Sequence, residues 1–474
     1  VADFDGDDTL DIMYTDVYGG VHYVGADGEE FAFFAHSDQQ NINRSGAMGQ
    51  IDNLGGDDLV FSSRSGFLYA MTAQGESIFD YAAGSPFIYS PVIADIDGDG
   101  QNEVIAGSLN GKLYAVKADG SDLPGFPVQL TGSFQSELAV GDILGTGTKQ
   151  IVCGMSMGSL FVVDSSGTVL TNFSHMLDFS LTGAPVILDN GRFAIASASY
   201  LYLFDNTGAQ LFSIPVDSPL LGGLITADID RNGALDLVFV SSAGKLWVVN
   251  QSGQSLYGFP ADTGVNFTCP PLVADIDDDQ QYEIVLHSYI NSVYAYEHTG
   301  ELMDGFPFGT TYNGATPGTL VDFDDSGYYK LIAGYSNGIL MSNLRVPASD
   351  LAPWTVYRGS LSREGSFAST GYVANEDDNA VAVPTRLMQN YPNPFNPHTT
   401  IAFTLAKDTM VSLNVYNTKG QKVRSLHSGN LTSGKHALSW NGKDDRGATC
   451  ASGLYFYRLE SSDFSETRKM LLMK

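Results

Sequence analysis

The chain has 474 residues, more than one ordinary hydrophobic core serves, so its length calls for two or more domains or a repeat architecture. Its 24 Lys plus Arg stand against 54 Asp plus Glu, a formal net charge of -30, which excludes nucleic acid as a partner and disfavours anionic membrane surfaces, since both need a basic face. Hydrophobic residues at 43% and aromatics at 11% supply a core and exclude wholesale disorder.

The three cysteines, Cys153, Cys269 and Cys450, lie far apart, which excludes a disulfide framework and any Cys-x-x-Cys metal site. No apolar run approaches the roughly 18 residues of a transmembrane helix. The sequence opens at Val1 inside a motif and without Met, so it reads as a fragment whose own N-terminus, with any signal peptide, lies upstream.

Taken in chain order, aspartate-led turns begin at Asp3, Asp52, Asp95, Asp142, Asp189, Asp228, Asp275 and Asp322, spaced 49, 43, 47, 47, 39, 47 and 47 residues apart. Eight units of about 47 residues fill the chain to about residue 345. The third is the clearest: PVIA at 91–94, an acidic turn from Asp95, EVIA at 103–106, a Gly-led turn, KLYAV at 112–116, then a segment ending in Gly125-Phe126-Pro127. Short β-branched and aromatic runs cut by Gly and Asp read as strands in hairpins, about four per unit. Such units bury both faces only by stacking on neighbours, which predicts an all-β fold: a β-propeller of about eight four-stranded blades, with seven the alternative.

From about Arg345 the pattern changes. Residues 346–370 read as a segment closing against the ring, so the propeller takes 1–370, and the acidic stretch 371–384 reads as a linker. Residues 385–474 alternate with period two at Ile401, Phe403, Leu405 and at Val411, Leu413, Val415, with turns at Lys419-Gly420 and Asn441-Gly442, which predicts a small Ig-like β-sandwich.

The acidic turns carry the chemistry. In the first, Asp3, Asp5, Asp7, Thr9 and Asp11 fall at positions 1, 3, 5, 7 and 9 of a nine-residue loop, with position 7 offering its carbonyl. The same spacing recurs at Asp95, Asp97, Asp99, Gln101 and Glu103; at Asp228, Asp230, Asn232, Ala234 and Asp236; and at Asp275, Asp277, Asp279, Gln281 and Glu283. Alternating oxygens in a tight loop suit a hard cation with six to eight oxygen ligands, and Ca²⁺ rather than Mg²⁺, which keeps more water. About four calcium sites are expected. At Asp322 the ninth position is Lys330, whose ammonium would stand where a carboxylate is needed. At Asp142 the ligand positions have become Leu144, Thr146 and Gln150; the Asp52 loop counts two residues short; and the Asp189 motif is essentially gone.

These repeats resemble FG-GAP or VCBS-type blades, the family that includes the integrin α-subunit propeller. The resemblance implies a propeller with calcium at the four loops above and extracellular recognition of a protein or glycan ligand. A second resemblance covers the C-terminal 90 residues: Leu387 to Pro397 (LMQNYPNPFNP), Val411 to Gln421, Trp440 to Asp445, Ser452 to Arg458 and the ending Lys469 to Lys474 are similar to type IX secretion sorting domains of the type A class. It implies export through type IX machinery, removal of residues 385–474 by a sortase-like peptidase, and release of the passenger or its attachment at the outer-membrane surface.

Catalysis finds less support. Gly154-Met-Ser156-Met-Gly158 and Gly334-Tyr-Ser336-Asn-Gly338 match the G-x-S-x-G nucleophile pattern, but both fall where another unit makes its hairpin, with no helix following. His287 and His298 have no carboxylate in a catalytic arrangement. The expected function is therefore a secreted or surface-attached calcium-binding propeller acting as a binding or adhesion module. The alternative is a propeller-type polysaccharide lyase, or the accessory domain of a larger secreted hydrolase.

Overall fold

Short apolar runs closed off by Gly and Asp turns form eight separate antiparallel sheets over the first three quarters of the chain. The computed structural model describes residues 1–474 apart from 2–3, 5–8, 17–19, 26–27, 36–45, 53–56, 179–180, 182, 221, 268, 289–291, 311–315, 336–337, 350–351, 361–362, 366–384, 388–389, 391–394, 406, 433, 463 and 474. The stretch read as a linker, 371–384, thus lies outside the described residues. The chain divides into two compact units, Val1–Asp324 with Tyr328–Tyr372, and Asp325–Gly327 with Val373–Lys474.

The third sheet sets the pattern: Val92–Ala94, Glu103–Gly107, Lys112–Val116 and Val128–Gln129 pair in sequence order. Six of the eight sheets are four-stranded and two have three described strands. In the first, Ile12–Thr15 follows an acidic turn and so corresponds to the second strand elsewhere. The eighth consists of Thr319–Val321, Tyr328–Tyr335 and Gly338–Pro347.

Each sheet packs its apolar face on the next. Met48, Leu59 and Phe61 of the second meet Val21 and Tyr23 of the first, and Ala47 and Val60 meet Ile93 and Val104 of the third. The series continues round to Leu320 and Leu331 of the eighth on Leu272 and Val285 of the seventh. Phe323 and Ile332 of the eighth then return to Ile12 of the first, which closes an eight-bladed β-propeller. Among the described residues this last seam has the smallest core, beside a partly open pocket of about 270 Å³ lined by Ile12, Tyr14, Val24, Phe323, Ile339 and Met341.

The first strands of adjacent blades lie side by side, as Ala47–Gly49 does with Val92–Ala94 and Ala139–Gly141 with Val186–Ile187, so they form the innermost layer. Each is a sheet edge, and buried edge N–H and C=O groups need partners. Residues 354–358 and 363–365 supply them. Val273 donates its N–H to the Trp354 carbonyl at 2.9 Å and accepts the Trp354 N–H at 3.2 Å. Leu320, Val140 and Ile187 donate to the carbonyls of Thr355, Glu364 and Gly365 at 2.9, 2.8 and 3.0 Å. Arg358, 3% exposed, donates Nη1 to the Pro185 carbonyl at 2.8 Å and Nη2 to the Leu138 carbonyl, with Glu137 Oε2 at 3.7 Å from Nε. Gly365 is required here: a Cβ on it would sit 1.8 Å from Arg358 Nη2.

In the second unit, Arg386–Leu387, Thr399–Leu405 and Gly434–Trp440 form one sheet, and Lys422–Leu431, Thr409–Asn417, Gly453–Glu460 and Ser465–Leu472 the other, in those orders. Ile401, Phe403, Leu405, Leu413 and Val415 are fully buried between them, as the alternation requires. The last strand is held on its outer side too, because Phe395 donates its N–H to Leu471 and accepts that of Met473. The fold is an Ig-like sandwich.

Replacing Arg358 by Ala removes two buried carbonyl bonds and the cation beside Glu137, and is expected to destabilise the propeller by about 3–5 kcal/mol. Arg358→Lys recovers only part of this, since a single ammonium does not reproduce the guanidinium fork. Thermal denaturation of the two variants is the check.

Candidate metal centres

The acidic loops join the first and second strands of their blades, and one anchor recurs in them. The residue at position 9 opens the second strand, is buried, and accepts the N–H of position 2. The bonds are Phe4 to Asp11 Oδ2 (2.9 Å), Ile51 to Asp58 Oδ2 (2.7 Å), Ile96 to Glu103 Oε2 (3.1 Å), Ile229 to Asp236 Oδ2 (3.0 Å) and Ile276 to Glu283 Oε2 (2.8 Å). This corrects the second turn: Ile51 is position 2, so the loop begins at Gln50 and runs its full nine residues to Asp58, with Asp52 at position 3. An aspartate-led count missed it because Gln stands where the other blades have Asp.

Position 1 organises the turn. Asp95 accepts the N–H of Gly98 at 2.7 Å and of Gly100 at 2.9 Å, one on each carboxylate oxygen. Asp275 does the same with Asp278 and Gln280, and Asp228 with Asn232 and Gly233. The chain is left-handed at positions 4 and 6, where Gly98 and Gly100 (φ +81° and +85°) are at ease. The seventh blade places Asp278 (φ 66°) and Gln280 (φ 70°) there, a conformation that costs each about 1–3 kcal/mol and persists where the surroundings impose it.

Three sets of acids converge: Asp95, Asp97 and Asp99; Asp228, Asp230 and Asp236; and Asp275, Asp277 and Asp279, each set with one oxygen per residue within 4.8 Å of the others. In the first and third, positions 3 and 5 each spend one oxygen on the N–H two residues on, including those of Gln101 and Gln281. In the second set, Asn232 Oδ1 likewise accepts the Ala234 N–H at 2.8 Å, while its Nδ2 donates to Asp230 Oδ2 at 3.0 Å. Of the first loop, Asp3, Asp5 and Asp7 lie outside the described residues, Thr9 is exposed, and Asp11 is buried on its Phe4 anchor.

Burial, then the neighbouring loop carboxylates, pushes Glu103 up to about 7 and Glu283 up to about 8; for Asp236 burial and then Asp230 push it up to about 7. Glu283 is fully buried, and its Oε1 has no hydrogen-bond partner, so the donor set fits a hard cation that would occupy that oxygen.

Two blades keep the loop with a different charge at position 9. In the eighth, Lys330 is 5% exposed and its Nζ lies 2.8 Å from Asp324 Oδ1, so the ammonium neutralises the loop from within. In the fourth, Asp142 accepts the N–H groups of Thr146 and Gly147, and Gln150 donates its amide to the Thr148 carbonyl at 2.9 Å. The fifth reduces the loop to the short turn Asp189–Gly191. Ser156 sits in the turn before the strand Ser159–Val163 and accepts the Ser133 N–H, so it is a hairpin serine without a following helix; Ser336 lies outside the described residues. Both ring nitrogens of buried His287 lack partners. Sequence spacing missed Glu297, whose carboxyl is raised by burial and by Asp277 and Asp279.

Against known proteins, residues 58–176 match the lambda-carrageenase β-propeller domain family and residues 395–464 the FlgD Ig-like domain family. The curated proteins contain no match. Among solved structures, BamB from Moraxella catarrhalis is 17% identical with a TM-score of 0.51, over 71% of this chain and 94% of that one. The computationally designed Ika8 protein is 14% identical with a TM-score of 0.51, over 70% and 93%. These likenesses are of fold alone. PorZ, an essential surface component of the type-IX secretion system of Porphyromonas gingivalis, overlaps 98% of this chain and 70% of its own at 12% identity and a TM-score of 0.42, too loosely to bear on function. The chain is thus an all-β protein, a β-propeller with an Ig-like domain. No described helix is long and apolar enough to cross a membrane.

Because Glu103, Asp236 and Glu283 sit above ordinary carboxylate values, the chelated protein holds their protons more tightly folded than unfolded. Their contribution is therefore full below the unfolded carboxylate pKa and is lost as pH rises through about 7 to 8. Calcium requires the ionised forms. The rise in melting temperature on adding calcium to chelated protein is expected to be larger at pH 8.5 than at pH 6, which paired melts in calcium and in EDTA will measure.

Proposed function

We propose that the chain is a calcium-stabilised binding propeller that works outside the cell and is carried there by residues 385–474. The observation that carries the calcium reading is the bare, fully buried Glu283 Oε1 beside the converging Asp275, Asp277 and Asp279. Calcium would be held by these residues, by Asp95, Asp97, Asp99 and Glu103, and by Asp228, Asp230 and Asp236; the Asp3 loop belongs to the proposal through Asp11 alone. The ion supplies positive charge that lets a strongly acidic ring close. Residues 1–384 hold 12 Lys plus Arg against 48 Asp plus Glu, while residues 385–474 hold 12 against 6. The basic, Ig-like C-terminal unit and its YPNPFNP opening support export by type IX secretion. A ligand, protein or glycan, would meet the loops at the ends of the blades, since residues 354–358 and 363–365 occupy the inner strands.

A second reading rests on the match of residues 58–176 to the lambda-carrageenase propeller family: action on, or binding to, a sulfated polysaccharide. A polyanion is repelled by so acidic a ring unless bound calcium bridges it.

With an affinity near 10⁻⁴ M and about 1 mM calcium, each site stabilises by roughly 1.4 kcal/mol, so EDTA is expected to lower the melting temperature by several degrees. An unchanged melt would refute the calcium reading. Residues 385–474 fused to a folded reporter should direct it out of a bacterium that has type IX secretion and leave it inside a strain lacking that system. New reducing ends or ultraviolet-absorbing products from lambda-carrageenan would move the function to the second reading.

A further inference from the structure

Position 9 of each loop has a neighbour across the sheet. Continuing the register of the second and third strands one residue further sets Asp58 opposite Thr72, Glu103 opposite Lys117, Gln150 opposite Asp164, Arg192 opposite Asp205 and Asp236 opposite Asn250. In the seventh blade, Ile284 pairs with Tyr296, which sets Glu283 opposite Glu297. Directly opposed residues share a face of the sheet with Cβ atoms about 5 Å apart, and like charges there repel. Among these blades the seventh alone opposes two carboxylates.

The turn after the third strand explains why Glu297 is available. Asp164 and Asp205 fold back on their own turns, accepting the N–H groups of Ser166 and Thr168, and of Thr207 and Ala209. Asn250 does likewise with Ser252 and Gln254. The backbone of the seventh turn is the same, with Glu297 N–H on the Glu301 carbonyl at 2.9 Å and Gly300 N–H on the Glu297 carbonyl at 2.8 Å. Its side chain is one methylene longer and makes no hydrogen bond or ion pair among the described residues. It stands opposite a buried glutamate whose Oε1 is also without a partner.

We propose that Glu297 is a further carboxylate of the Asp275 centre, acting with Glu283 across the strands, and that it makes this the tightest of the divalent-cation sites. This rests on the calcium reading. The other centres have a lysine opposite Glu103 and an asparagine opposite Asp236, so neither gains a carboxylate from that side. The assignment also accounts for the left-handed Gln280 at a position where the third, fourth, sixth and eighth blades have glycine, a backbone cost that a tightly held ion offsets.

Calorimetric titration of calcium into the metal-stripped full chain is expected to show one tight equivalent and a weaker class. Glu297→Gln should weaken the tight equivalent about tenfold and leave the weaker class unchanged. Asp277→Asn should abolish the tight equivalent, and Asp99→Asn should remove only weak binding. In EDTA, Glu297→Gln should melt above the wild type, because the opposed charge is gone, and gain less on adding calcium; this also shows that it folds. Glu297→Asp keeps the charge but is short enough to fold back as Asp164 does, so it too should lose the tight class. A tight class that survives Glu297→Gln, Glu297→Asp or Asp277→Asn overturns the assignment while calcium binding stands. Absence of any binding by the wild type overturns the calcium reading itself.

Discussion

The propeller depends on a buried polar side chain at the start of the second strand of its blades. Asp11, Asp58, Glu103, Gln150, Asp236, Glu283 and Lys330 occupy this one position, all at 8% exposure or less. Half of each carboxylate's need is met locally, by the N–H of position 2, which fixes the loop in register with the strands. What meets the other half differs by blade. The eighth blade replaces the carboxylate with the Lys330 ammonium and the fourth with the Gln150 amide, each paired within its own loop. In the seventh blade Glu283 Oε1 has no partner, and a buried charge is tolerated only when paired. The conformation of the loop is therefore common property, and the charge it buries is a blade-by-blade choice made at a single residue.

A second constraint acts at the axis. A propeller brings the first strands together as bare edges, each with a row of backbone groups cut off from water. The chain covers them with its own residues 354–358 and 363–365, to which blades two, four, five, seven and eight all bond. Arg358 is central to this because one guanidinium reaches carbonyls from two blades and also neutralises Glu137. The ring is thus closed twice: at its seams by apolar packing, and at its centre by backbone hydrogen bonds. Among the described residues the seam between the first and eighth blades is the thinnest, with three buried residues beside a partly open pocket, and the central segment also holds the eighth blade through Leu320.

The charge asymmetry follows the same division. The acidic residues cluster where loops hold spaced carboxylates, while the C-terminal unit gains its excess of Lys and Arg without any comparable loop. Bulk charge, which at first only excluded partners, resolves into a set of positions with defined neighbours.

Strand number, blade count and the acidic loops were legible in the sequence, because they are local: alternating apolar runs, turn glycines and a nine-residue spacing are written within each unit. The Ig-like sandwich was legible for the same reason, through Ile401, Phe403 and Leu405. A local pattern failed where the residue type changed but the geometry did not, as at Gln50. Three things were decided only by tertiary structure. The placement of residues 354–358 and 363–365 depends on edges from distant blades, and the closing seam joins residues some 320 apart. The facing of Glu283 and Glu297 depends on strand register, a relation across the sheet that no spacing along the chain records.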